Sequence, residues 1–596
     1  MRRYMLLLIA AFVPAVAWSQ DELSFDVEIE YPPIVRYREL PMRMMEELKV
    51  RMSVMDEVMD EGTVEFFRRI VETSKDSATQ IQALDALADI ARRKLGDVQA
   101  AVPAIRAATR SSDRAVQRAA AIAIIDADAR DAAADLLKVV NESKDDRLRM
   151  RIEPTLAVWK FEPASAMWRE RLSDPLAGSA SVALACDGLA AVGSTESLTD
   201  IRAILEKSPR FQSRIAAARA IGQLDPKLGL RLHAELVGGR VSDQLAAVAL
   251  LSNDDKECQQ KLLGLCSSKA NAVAAAAWVA LEKRDPAALR SLFDDGVKHP
   301  DTQVRLAVLR AMKHFPTVQN CDRLATALGD QHIVVRNNAR IVLQAFSTEK
   351  SLLDRIVMNA GKTITAANNW CGVEQSLLVA ALLKQHQFSE ECVPLLTHDR
   401  PEVFVTAAWL MHLYPNALIL KEVTAIAQAR LKVVRRARIE MQTDMGLQMA
   451  HLFQLAGFVD YKPFQPLCEE QFNKSSGVGR EGRAAAMWAI GMLNRDTPSE
   501  QLVGQLVRRV NDRTSDTNPE FDLVRYKCVM SLGRMNARSQ VAEIRKAYKL
   551  DTPVTVIPEA SRWALARFGE EVPPERTMRD SVTKVGGWKL SPIRDR

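Results

Sequence analysis

One pattern recurs along almost the whole chain and limits the fold more than composition does. Its clearest copy is His299–Met312, HPDTQVRLAVLRAM. Asp301 stands three residues before a Val304-Arg305 pair, and Val308, Ala311 and Met312 follow at helical spacing. The pattern returns near Val116, Val335 and Val524, with weaker copies between. Self-similarity at this period predicts a solenoid. Each unit of a solenoid packs only on its neighbours, and the array offers a long surface rather than a reaction centre. An array also accommodates 596 residues, well above the roughly 250–300 at which a single core stops growing.

Aligned on the position of Val304, the equivalent residues are Thr79, Val116, Leu148, Leu184, Ser213, Leu245, Val273, Val335, Val373, Val403, Gln448, Gly482, Val524 and Ala560. Four positions on stand small or apolar residues: Ala83, Ala120, Ala217, Ala277, Val308, Ala339, Ala407, Ala486 and Cys528. Seven positions on, Ala is common: Ala86, Ala123, Ala191, Ala220, Ala280, Ala311, Ala380 and Ala489. These offsets share one helical face, where small side chains let helices approach. Asp76, Asp113, Asp145 and Asp301 stand where a helix N-cap is expected. Nine positions on, Gly193, Gly222, Gly457, Gly491, Gly533 and Gly569 read as left-handed C-caps.

This combination resembles HEAT repeats, especially the short HEAT-like repeats named in phycobilisome lyases. The resemblance covers roughly residues 60–570. It implies an all-α fold, an α-solenoid of stacked antiparallel helix pairs in a superhelix. It also implies an Asp–Arg ladder between adjacent second helices, with Arg214, Arg305, Arg336, Arg483 and Arg525 at the Arg position; several copies lack the Arg or the Asp, so the ladder is expected to be interrupted. The tetratricopeptide Trp-Leu-Gly-Tyr pattern and the ankyrin Thr-Pro-Leu-His pattern are absent.

The organisation expected is a signal peptide over 1–19, an extended arm over 20–45, a HEAT-like array over 46–415, longer HEAT-like repeats over 416–570 and an irregular tail over 571–596. Arg2 and Arg3 precede an apolar stretch from Met5 to Val16, and Ala15, Ala17 and Ser19 offer a cleavage site. The stretch is shorter than the roughly 20 residues of a membrane span. A periplasmic or secreted location is therefore expected. In the arm, SFDVEIEY alternates apolar and polar residues before Pro32-Pro33, and the arm is read as lying along the first repeats. The net charge of +6, part of it from Arg2 and Arg3, is close to neutral for this length and does not suggest a nucleic-acid binder.

No motif carries chemistry. The cysteines Cys186, Cys258, Cys266, Cys321, Cys371, Cys392, Cys468 and Cys528 form no Cys-x-x-Cys, and buried free thiols are expected, with a Cys258–Cys266 bridge as the alternative. His233, His299, His314, His332, His386, His398, His412 and His451 make no helical zinc pair and read as surface or loop residues. Phosphate-binding and nucleophile-elbow motifs are absent. Gly477-Val478-Gly479 reads as a connector, and Asp56, Asp60 and Glu61 as a solvated acidic face. No cofactor, metal site or catalytic residue is expected.

The one basic concentration is RLKVVRRAR, with Arg430, Lys432, Arg435, Arg436 and Arg438. Lys432, Arg435 and Arg436 would share a face of an amphipathic helix, either merely solvated or set against an anionic partner. The function expected is thus a non-enzymatic exported scaffold holding a protein partner on the inner concave surface lined by the second helices. The alternatives are a binder of anionic polymer or membrane through the basic helix, and a lyase-like HEAT enzyme.

Overall fold

A computed structural model describes residues 61–143, 145–513, 519–551 and 556–574. The leader, the arm, Asp56, Asp60 and the tail beyond residue 574 lie outside the described residues. The described chain forms two compact units, 61–291 and 292–574.

The first unit runs α1 (Glu61–Thr73), α2 (Ser77–Arg92), α3 (Val102–Ala108), α4 (Arg114–Asp126), α5 (Ala133–Glu142), α6 (Asp146–Val158), α7 (Ser165–Ser173), α8 (Ser179–Ala191), α9 (Leu198–Lys207), α10 (Phe211–Leu224), α11 (Pro226–Leu236), α12 (Val241–Leu250), α13 (Lys256–Leu265) and α14 (Asn271–Arg284). The second runs α15 (Phe293–Gly296), α16 (Thr302–Met312), α17 (Val318–Ala327), α18 (Ile333–Phe346), α19 (Lys350–Ala366), α20 (Trp370–Leu382), α21 (Cys392–Leu395), α22 (Pro401–Leu413), α23 (Leu420–Val434), α24 (Ile439–Phe458), α25 (Gln465–Glu469), α26 (Gly479–Leu493), α27 (Glu500–Asn511), α28 (Asp522–Arg534), α29 (Val541–Leu550) and α30 (Ile557–Phe568). There is no strand among the described residues. Within each unit the even-numbered helices pack on one another in sequence, each against its odd-numbered partner. The architecture is an α-solenoid of HEAT-like helix pairs, and the even-numbered helices are the second helices of the pairs.

All fifteen aligned positions fall in second helices, from Thr79 in α2 to Ala560 in α30. The nine small or apolar residues four positions on, from Ala83 to Cys528, are all buried. Seven positions on, Ala86, Ala123, Ala220, Ala311, Ala380 and Ala489 are buried, while Ala191 and Ala280 are partly exposed. The four predicted caps form: Asp76 accepts from the Thr79 amide, Asp113 from Ala115, Asp145 from Arg147 and Leu148, and Asp301 from Gln303.

The glycines divide. Gly193 and Gly569 take φ of +73° and +75°, as left-handed ends do. Gly222, Gly457, Gly491 and Gly533 instead lie inside helices, at contacts with the next second helix. A Cβ on Gly491 would come within 2.6 Å of the Ser531 Cα, and one on Gly533 within 2.6 Å of the Trp563 ring. They serve close packing rather than chain reversal.

The Arg ladder is present. Arg214 reaches Asp243 at 2.8 Å, Arg305 reaches Asp330 at 2.7 Å, Arg483 reaches Glu520 at 2.5 Å and Arg525 reaches Asp551 at 2.7 Å. Each acid belongs to the following repeat. The same guanidinium also caps its own repeat: Arg214 donates to the Leu205 carbonyl, Arg483 to Gln471 and Arg525 to Val510. Arg336 differs, donating to the Asp330 and Gln331 carbonyls and lying 5.5 Å over the Trp370 ring of the next repeat. All eight cysteines are free and buried, so the Cys258–Cys266 bridge is not made.

Candidate functional site

The two units differ in what their second helices leave open. On α6, Leu148, Ile152 and Leu156 are buried, while Arg147, Met150, Arg151 and Val158 on the other side are exposed. Their spacing of three, four and eleven residues puts them on one face. On α4, Arg114 and Arg118 are exposed one turn apart. This face of the first unit combines four exposed arginines with the apolar Met150 and Val158.

Asp126 of α4 ties the face together. It lies 3.7 Å from an Arg92 nitrogen of α2 and 3.2 Å from Arg151 of α6. Its side chain is 5% exposed, and burial pushes its carboxyl up despite both arginines. Arg118 pairs with Asp145 at 3.4 Å. Beneath, the buried Glu153 of α6 accepts from Trp168 Nε1 at 3.1 Å and from Arg171, which fixes α6 on α7. Arg147 and Arg151 therefore stand on a helix fixed firmly to its neighbour α7.

In the second unit, Cys371–Ala381, Glu402–His412, Asp444–Gly457, Gly482–Leu493 and Val524–Met535 are buried without a break. Each run exceeds three turns, so α20, α22, α24, α26 and α28 are covered on every side. Polar residues sit inside this layer. His412 of α22 and His451 of α24 place their Nδ1 atoms 3.3 Å apart, with ring centroids at 5.5 Å. His412 also stacks on Phe458 at 5.5 Å, and Phe458 meets Trp488 of α26 edge-on at 4.9 Å. Arg534 of α28 lies over both Trp488 and Trp563, at 5.7 and 5.8 Å. A row of rings and a cation thus links α22 to α30.

Burial sets the charge states here. It lowers His451 to about 3 and Lys527 to about 7. Asp444 of α24 is pushed up to about 7, first by burial and then by Glu402 of α22. The histidine expectation is corrected for His233, His412 and His451, which are buried. Two of them face each other from residues 39 positions apart, a separation at which no helical pair motif exists to reveal them.

The structure splits the predicted basic patch. α23 ends at Val434, so Arg435, Arg436 and Arg438 lie in and beyond the turn to α24 rather than on one helical face. Arg430 turns inward: it donates to the Leu396 carbonyl at 2.8 Å and lies 4.7 Å over Phe404. Arg435 remains exposed, although its Nε donates to the Ser476 carbonyl at 3.3 Å. Lys432, Arg436 and Arg438 are exposed. Among the described residues no group of three metal-ligating side chains converges, and no helix is long and apolar enough to cross a membrane.

No protein-family model and no curated protein matches the chain. Among solved structures, the chain is similar to Kap95p in complex with RanGDP, at 13% identity and a TM-score of 0.45, over 86% of this chain and 73% of that one. It is similar to importin beta in an ammonium sulfate condition, at 10% identity and a TM-score of 0.40, over 84% of this chain and 72% of that one. It is also similar to Kap121p bound to RanGTP, at 11% identity and a TM-score of 0.42, over 85% of this chain and 57% of that one. Likeness of this size carries no inference about what this chain binds.

Proposed function

We propose that the chain is an exported, non-enzymatic scaffold that holds a protein partner on the second-helix face of its first unit. The observation that carries this reading is the open face of α4 and α6, where four arginines flank Met150 and Val158, with α6 fixed on α7 by the buried Glu153–Arg171 pair and joined to α4 by the half-exposed Asp126–Arg151 pair. Arginine beside exposed apolar side chains is the composition that anchors protein interfaces. Export rests on the leader: Arg2, Arg3 and the short apolar stretch before Ala15, Ala17 and Ser19. N-terminal sequencing of the secreted or periplasmic form should begin near residue 18 or 20.

The test is chemical cross-linking and affinity capture of the full chain from its native envelope fraction. One stoichiometric protein should be retained, and Arg114→Glu with Arg147→Glu should release it. Capture unchanged by that double substitution would move the binding face elsewhere.

A second reading keeps an anionic polymer or lipid surface as partner, bound at the α23–α24 turn. Lys432, Arg435, Arg436 and Arg438 are four exposed cations within seven residues. It requires salt-sensitive binding to anionic vesicles that Arg435→Glu with Arg436→Glu abolishes. Absorbance from a bound pigment would favour the lyase-like reading instead.

A further inference from the structure

The open face of the first unit is basic and part apolar, and the same chain carries a segment of opposite charge. Asp21–Glu28, DELSFDVE, holds four carboxylates and no cation. Its apolar residues Leu23, Phe25 and Val27 alternate with polar ones, so in an extended chain they fall on one side and Glu22, Asp26 and Glu28 on the other. The face of α4 and α6 offers the matching set. Arg114, Arg118, Arg147 and Arg151 are exposed, and Met150 and Val158 are 49% and 57% exposed beside them.

Reach is ample. Glu28 precedes Glu61, the first residue of α1, by thirty-three positions. A chain spans up to about 3.3 Å per residue, giving roughly 100 Å. Second helices packed side by side are about 8–10 Å apart, so α6 is two such steps, about 20 Å, from α2.

We propose that Asp21–Glu28 docks on the arginine face of α4 and α6 and is the occupant that an external partner must displace. This deepens the scaffold reading and rests on it for the displacement alone; the docking is a property of the chain by itself. Leu23, Phe25 and Val27 cover Met150 and Val158, while Asp26 and Glu28 meet the arginines. Arg114 and Arg147 are the most available, since Arg118 and Arg151 already share Asp145 and Asp126.

The test uses the full chain with Phe25 replaced by benzoylphenylalanine, irradiated and digested for mass spectrometry. Intramolecular cross-links should concentrate in α4 and α6, with Met150 prominent, because benzophenone favours thioether C–H bonds. Arg114→Glu with Arg147→Glu should lower their yield about tenfold, and about 1 M salt several-fold. Neither arginine makes a buried contact, so the variant should fold, and an unchanged thermal melt checks this. Cross-links landing elsewhere, or indifferent to the arginine reversal, would overturn the proposal. Cross-links only between two chains would assign the face to a second copy and overturn it equally. The capture experiment can return a partner while this one fails, so the two readings are separable.

Discussion

The Nδ1 atoms of His412 and His451 face each other at 3.3 Å inside the second unit, and the same two helices bring Asp444 beside Glu402. His451 and Asp444 oppose each other in pH. His451 is held at about 3 against an ordinary 6.5, so the unfolded chain binds the extra proton between those values and stability falls as pH drops through that window. Asp444 is held at about 7 against 3.8, so the folded chain binds the extra proton and stability rises as pH drops. Between about pH 4 and 6.5 the contributions cancel. Replacing Asp444→Asn removes one of them. Relative to the parent, the variant should lose stability on acidification by up to about 1.4 kcal/mol per pH unit over that window. Urea midpoints at pH 4.5, 5.5 and 6.5 give the slope, and parallel curves would contradict the coupling.

Arg525 and Asp551 form a buried bidentate pair, with side chains 3% and 4% exposed. Arg525→Met should leave the buried Asp551 with the looser Arg513 contact at 3.6 Å and cost up to about 3–5 kcal/mol. Arg525→Met with Asp551→Leu should recover much of it, because an apolar pair of similar volume carries no desolvation penalty. Arg118→Ala breaks an exposed pair with Asp145 and should cost about 1 kcal/mol or less. Denaturant melts of the three variants rank them.

Gly491→Ala and Gly264→Ala make the same chemical change in two helices. The first drives a Cβ to 2.6 Å from the Ser531 Cα, whereas the second meets nothing within 4 Å. Gly491→Ala should cost about 1–3 kcal/mol of stability through overpacking and so lower the melting temperature. Gly264→Ala should be neutral or stabilise by about 0.5–1 kcal/mol. Calorimetry of both variants checks the order.

Eight buried free thiols predict a sharp labelling contrast. Burial raises Cys392, Cys468 and Cys528 well above the usual thiol range, which withholds the reactive thiolate. The native protein should take up almost no maleimide, and the unfolded protein eight, read by intact mass. A bridged Cys258–Cys266 pair would leave six.

Local physics was legible in the sequence where one residue decides. The Asp caps and the small residues four positions on depend on a helix start and a helical period, both visible in one segment. The glycines misled because Gly222 and Gly491 look like chain reversals in sequence, while their need comes from the next helix, as with Ser531 over Gly491. The RLKVVRRAR segment reads as a continuous helix by charge period alone. Its end at Val434 and the inward turn of Arg430 depend on Leu396 and Phe404, which lie in the preceding repeat. The His412–His451 contact is likewise a property of two repeats.

The unequal ladder of arginines has a mechanical meaning. Each rung joins one repeat to the next, so the stiffness of each unit is set junction by junction. Arg483–Glu520 and Arg525–Asp551 are nearly dry and should hold at any ionic strength, whereas Arg214–Asp243, with side chains 21% and 23% exposed, should loosen as salt rises. Arg336, resting on the Trp370 ring, is a softer joint still and is indifferent to carboxylate protonation. Elasticity in this chain is graded, with the compliant joints at α10–α12 and α18–α20 and the rigid ones at α26–α28 and α28–α30.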